Sequence, residues 1–120
     1  VKVTRIYTRE DGISAFSEVE VPLHDQGAIG RISDPVAVTS LMFRETPADH
    51  HHDWHQAPRR QYIVLLDGEI EITVGTGESR RFSGGEILLV EDTTGNGHLT
   101  RHIQNQVRKS LFLPLPEESS

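Results

Sequence analysis

Apolar and polar positions alternate along most of the chain. Residues 1–7 (VKVTRIY) alternate and are enriched in β-branched side chains, which reads as a half-buried strand. Residues 14–21 (SAFSEVEV) alternate again and stop at Pro22. Residues 24–33 hold Gly27 and Gly30 with little period and read as a loop, a candidate cover for a barrel mouth. A strand is expected over 36–45 (VAVTSLMFRE), broken by Thr46-Pro47-Ala48-Asp49, and another over 61–66 (QYIVLL). Asp67-Gly68 is a two-residue hairpin signal, and 69–74 (EIEITV) alternate strictly up to a second turn at 75–78. Residues 79–82, 86–90 (EILLV), 98–103 and 107–113 complete the series, with a glycine-rich loop at 93–97. No segment sustains a helical period. About nine short strands, with turn signals roughly every 8–12 residues, predict an all-β sandwich or small barrel in a single domain over 1–120. The core spans 36–113, and an acidic, frayed tail 114–120 follows it.

Composition narrows the function classes. The 120 residues can bury a real core. No apolar run approaches the roughly 18 residues of a membrane span, and the first residues do not read as a secretory leader. The chain has no cysteine, so disulfide and thiolate chemistry are excluded and a cytoplasmic setting is expected. A net charge of −6 argues against nucleic acid as partner, and no membrane partner is expected either. Arg59-Arg60 and Arg80-Arg81 read as solvated strand edges. Seven histidines, three of them consecutive at His50 to His52, are many for this length.

The densest candidate chemistry lies in 53–68, DWHQAPRRQYIVLLDG, where polar side chains feed into a core strand. Alternate residues of a strand share a face. Asp53 and His55 are therefore expected on one face with Trp54 on the other, and Gln61 can join them across the Pro58 turn. On the later strand His98, Thr100 and His102 share a face. A carboxylate, two imidazoles and an amide make a mixed N,O set suited to Fe(II), Mn(II), Ni(II) or Zn(II). Asp53 can equally orient His55 or cap the turn, and Gln61 can be a buried amide satisfied by backbone. Trp54, Tyr62, Phe43 and Met42 read as core or dimer-interface residues.

These residues resemble the motifs of the cupins. Asp53-Trp54-His55 stands in the place of the first motif's H-x-H, and Gln61 to Gly68 in that of its E-x6-G, with a gap one residue longer than usual. Gly85 opens the second motif, Gly95-Asn96-Gly97-His98 restores its G-x2-H ending, and His102 falls at its final asparagine. The resemblance covers roughly residues 36–113, and the short spacing between motifs is that of compact bacterial cupins. It implies a double-stranded β-helix, or jelly-roll barrel, of antiparallel strands. It also implies a divalent transition metal (Fe, Mn, Ni or Zn) at Asp53, His55, Gln61 and His98. His52 or His51 can take the place of Asp53 if the loop is bent, which gives the three-histidine, one-glutamine set of some small manganese cupins.

The expected function is a small metal-binding cupin acting on a small polar metabolite, of dioxygenase, isomerase or lyase type, with His55 and His98 as catalytic groups. Arg59, Thr100 and His102 are candidates for the substrate pocket. The alternative is a barrel that binds a small molecule without metal or catalysis. A homodimer is expected through the N-terminal strand, which lies outside both motifs and needs a partner.

Overall fold

The computed structural model describes residues 1–103 and 106–117. The strands are β1 (Lys2–Thr8), β2 (Ser14–Glu20), β3 (His24–Asp25), β4 (Arg31–Ile32), β5 (Met42–Thr46), β6 (His52–His55), β7 (Gln61–Leu65), β8 (Glu69–Thr73), β9 (Ser79–Ser83), β10 (Ile87–Val90), β11 (His98–His102) and β12 (Arg108–Pro114). They form a six-stranded sheet in the order β2-β1-β10-β7-β12-β5, a four-stranded sheet in the order β6-β11-β8-β9, and a two-stranded ribbon of β3 and β4. The two larger sheets pack as a jelly roll, and all pairings are antiparallel except β1 with β10. Among the described residues no helix is long and apolar enough to cross a membrane.

The alternation read from the sequence is what fills the space between the sheets. In β8, Ile70 and Ile72 point inward, Val74 continues their row, and Glu69, Glu71 and Thr73 stay outside. The inward row joins Phe82 of β9, Leu65 of β7, Leu88 and Val90 of β10, and Ile6 and Phe16 of the N-terminal hairpin in one apolar cluster. On the outer face Arg81 lies 3.7 Å from Glu69 and 3.8 Å from Glu71, as a solvated strand edge does.

Several expectations from the sequence are corrected. Asp67-Gly68 does not close a hairpin, because β7 pairs with β10 and β12 while β8 pairs with β11 and β9. The turn instead carries the chain from one sheet to the other, and the Asp67 carboxylate accepts a hydrogen bond from the Lys109 backbone N–H at 2.6 Å. β1 is not an unpaired strand. It lies between β2 and β10, so the argument for dimerisation through it falls. The loop at 24–33 holds the ribbon β3–β4, and the strand expected over 36–45 is shorter, Met42–Thr46. Of the residues read as core or dimer interface, Trp54, Phe43 and Met42 are exposed, which rules out the core placement and leaves the interface one open. Pro114 still pairs with Gln61, so the last strand runs into the expected tail, of which 118–120 lie outside the described residues.

A clasp of charges secures β1 to the sheet. Arg5 of β1 donates to Glu91 at 2.5 Å, and Arg60, just before β7, donates to its other oxygen at 2.6 Å. Burial works to raise the Glu91 carboxyl, but the two guanidinium hydrogen bonds outweigh it and hold the group below the usual carboxylate range. The folded carboxyl thus titrates below the unfolded one. Its stabilisation is complete above about pH 4.3 and is lost as the pH falls through the folded value. Glu91→Gln is expected to lower unfolding stability at pH 7 by about 1–2 kcal/mol and to flatten its fall between roughly pH 5 and 3. Urea titrations across that range check this, and a variant with an unchanged acid slope would refute it.

Candidate functional site

Between the sheets lies a cavity of about 360 Å³, near the lower end of the range for small-molecule sites. Its floor is apolar and includes Ile63, Leu65, Ile70, Ile72, Leu88 and Val90. One end is polar through Gln61, His55 and His98, with His52 on the same wall. The other is polar through Arg108, with Thr46, Ser110 and Arg44 beside it. The register sets the two ends apart. Pro114 of β12 faces Gln61 of β7 while Ser110 faces Leu65, so Arg108 lies beyond the far end of β7 from Gln61.

The histidine wall depends on an irregularity in β6. Where β11 runs from His98 to Thr100, its partner runs from His55 to His52, one residue more, which is a β-bulge. The extra residue breaks the period of two. His52 and His55 therefore both line the cavity, and Asp53, expected to share the face of His55, is exposed and outside it. Simple parity fails at Asp53 for that reason. The ring centroids are 4.3 Å apart for His52 and His55 and 4.7 Å apart for His55 and His98.

Two of these imidazoles are oriented by hydrogen bonds on the side away from the cavity. His55 Nδ1 lies 2.8 Å from the carbonyl oxygen of Asp53; a carbonyl can only accept, so Nδ1 carries the proton. Asp53 thus orients His55 through its backbone, while its carboxylate accepts from Trp54 N–H at 2.8 Å. His98 Nδ1 lies 2.6 Å from Oδ2 of Asp92, a carboxylate with no solvent exposure. Both rings keep Nε2 for the cavity. Burial pushes His52 down to about 4, helped by the neighbouring His55, His50, Arg44 and His98, so His52 is a neutral lone-pair donor at pH 7. Gln61 is almost fully buried against the same space. Among the described residues, however, no three His, Asp or Glu groups are gathered as a finished cation site.

The other sequence candidates fall in different places. Thr100 lines the cavity beside His52. His102 keeps the parity of His98 and Thr100 but lies beyond the cavity, its ring 6.0 Å from that of His51. Burial first, then the nearby Arg108, lowers its pKa. Arg59 is exposed and does not reach the cavity. Sequence reasoning missed Asp92, Arg44 and Arg108. The signal for Asp92 was a carboxylate at the end of the core strand EILLV, six residues before His98. Arg44 and Arg108 left none, because their strands invert the usual alternation. In β12 the inward row is Arg108, Ser110 and Phe112, and in β5 Arg44 and Thr46 line the cavity while Phe43 is 79% exposed.

Gly97 allows β6 to approach β11. A Cβ there would stand 1.8 Å from the His55 carbonyl oxygen and 2.6 Å from the Gln56 nitrogen, and its φ of +74° disfavours any side chain. Gly97→Ala is expected to cost about 3 kcal/mol or more, combining left-handed strain with overpacking against backbone. Denaturant unfolding measures it, and a loss under about 0.5 kcal/mol would show that the two strands do not meet there.

The sequence matches no protein-family profile and no curated protein. Solved structures do match. The Schizosaccharomyces pombe Cnp3 cupin domain aligns with a TM-score of 0.54 at 15% identity, over 97% of this chain and 88% of that one. Protein NMB1881 of Neisseria meningitidis gives 0.50 at 12% identity over 94% and 82%. A conserved Streptococcus pyogenes protein of unknown function gives 0.50 at 18% identity over 65% of each chain, so this chain spans less than two thirds of that relative's length. With two facing sheets, a cavity between them and these neighbours, the chain has the cupin fold.

Proposed function

We propose that the chain is a cupin whose interior takes a small polar metabolite and a divalent transition metal (Fe, Mn, Ni or Zn). The metal would be held by His52, His55, His98 and Gln61. The observation that carries this reading is the pair of oriented imidazoles, His55 on the Asp53 carbonyl and His98 on the Asp92 carboxylate. Each is left with Nε2 toward the cavity. Metal-bound histidines are held in this way in general, through the other ring nitrogen. His52, neutral at pH 7, stands where Asp53 was expected, and Gln61 adds a weak oxygen donor. Such a metal supplies Lewis-acid or oxygen-activating chemistry. The chain's own part is to present the lone pairs, to keep water off the apolar floor, and to stabilise through Asp92 any positive charge that forms on His98.

A second reading uses no metal. His55 and His98 would act as acid and base on the ligand, supported by their 4.7 Å ring separation. We also assign the protein to the cytoplasm, a setting the absence of cysteine supports.

A homodimer is proposed through β5 in place of β1. β5 is a sheet edge with unpaired backbone groups, and it carries the exposed Phe43 and Met42. Phe43→Asp is expected to convert the dimer to monomer in sedimentation velocity, and a wild type that sediments as a monomer rejects the assignment.

Elemental analysis of protein purified without a histidine tag tests the metal. About one transition metal per chain is expected in the wild type and in a His50→Ala/His51→Ala control, and none in His98→Ala. A wild type that stays metal-free after exposure to Mn, Fe, Ni and Zn salts would sink the metal reading and leave the metal-free ones, acid–base or purely binding.

A further inference from the structure

Several arginines on the outer surface pair with carboxylates: Arg9 with Asp11, Arg80 with Glu78, and Arg101 with Glu71. Arg108 does not. It is only 8% exposed, it lines the cavity, and its Nη1 is buried with no hydrogen-bond partner. Arg44, an exposed side chain, lines the edge of the same cavity, stacked 5.3 Å over the Phe112 ring, and among the described residues no carboxylate is paired with either guanidinium. Burial, with Arg44 adding to it, lowers Arg108 to about 10, so it remains a cation at pH 7. A buried charge without a counter-charge is strongly unfavourable, and a second cation beside it makes matters worse. An anion entering the cavity relieves both.

The register builds a socket around this charge. Across β12 and β5, Arg108 faces Thr46 and Ser110 faces Arg44, so two guanidiniums and two hydroxyls share one patch of cavity wall. A guanidinium matches the planar two-oxygen geometry of a carboxylate. Beyond the socket the floor is hydrocarbon (Ile63, Leu65 and Leu88), and His55, His98 and Gln61 stand at the opposite end. A space of about 360 Å³ holds on the order of ten heavy atoms, at about 30 Å³ per water-sized group. We infer that the cavity takes a small organic acid, its carboxylate gripped by Arg108 and Arg44, its short hydrocarbon on the apolar floor, and its other end directed to the histidines. The inference rests on the cavity being the small-molecule site proposed above, and not on the metal.

The test is calorimetric titration of metal-stripped protein with butyrate, succinate and glutarate. Succinamide serves as the uncharged match and inorganic phosphate as the competing anion. At least one acid binds and succinamide does not. Arg108→Gln weakens the acid about tenfold or more, and Arg44→Gln weakens it less. Ligand-free Arg108→Met melts above the wild type, because it removes an unpaired buried charge, whereas a merely structural arginine would give a lower midpoint. Should Arg108→Gln not fold, Arg44→Gln carries the binding comparison. The inference is overturned if no acid binds, if acid and amide bind alike, if the arginine variants bind as well as wild type, if phosphate alone binds, or if Arg108→Met melts below wild type. Acid binding seen only after Mn(II) is added would place the anion on the metal and overturn the arginine assignment while supporting the metal. Acid binding to stripped protein stands whether or not a metal is ever found.

Discussion

The apolar contact between the two sheets carries everything else. Ile70, Ile72 and Val74 on one side meet Leu65, Leu88 and Val90 on the other. This seam is rigid because close-packed side chains leave little freedom, and it does not fill the whole space between the sheets. The unfilled part is the cavity, and the floor of the cavity is the same set of side chains. The polar groups at its two ends are mounted on strands of these two sheets and not on surface loops.

Water is the common opponent of both polar ends. At the histidine end the response is to satisfy each ring on its outer side, His98 through the fully buried Asp92 and His55 through a backbone carbonyl. At the arginine end the charge has no internal answer. Polar groups that fold into a dry interior are normally paired. His55 and His98 are thus held in place by their outer-side partners, whereas the buried guanidinium of Arg108 has no carboxylate beside it among the described residues.

The architecture was legible in the sequence where alternation served packing. Residues 69–74 alternate because one face of β8 is core and the other is solvent, and the strand stands where the pattern put it. Legibility failed in two physical situations. The first is a change of backbone period: the bulge in β6 consumes one residue, so counting by twos put Asp53 on the wall in place of His52. The second is a strand whose inward face lines a cavity. There, polar side chains line the cavity and apolar ones face out, so Phe43, read as core or dimer interface, is exposed, and Arg108, which the pattern did not single out, is buried. Asp67-Gly68 failed differently. Its local chemistry makes a turn as expected, but whether that turn closes a hairpin or changes sheets is decided by strands far away in sequence.

The parallel pairing of β1 with β10 has a consequence for how the chain reaches this state. Ile6 hydrogen-bonds beside Val90, and the Glu91 N–H donates to the Ile6 carbonyl, so the N-terminal hairpin docks onto a strand made much later. During synthesis β1 and β2 can form their own hairpin at once. The other edge of β1 then stays open until β10 has left the ribosome and found β7. Contacts of such long sequence separation form late and slowly, and an open edge in the interval invites pairing with neighbouring chains. The order in which this protein is made thus sets its period of greatest exposure to aggregation.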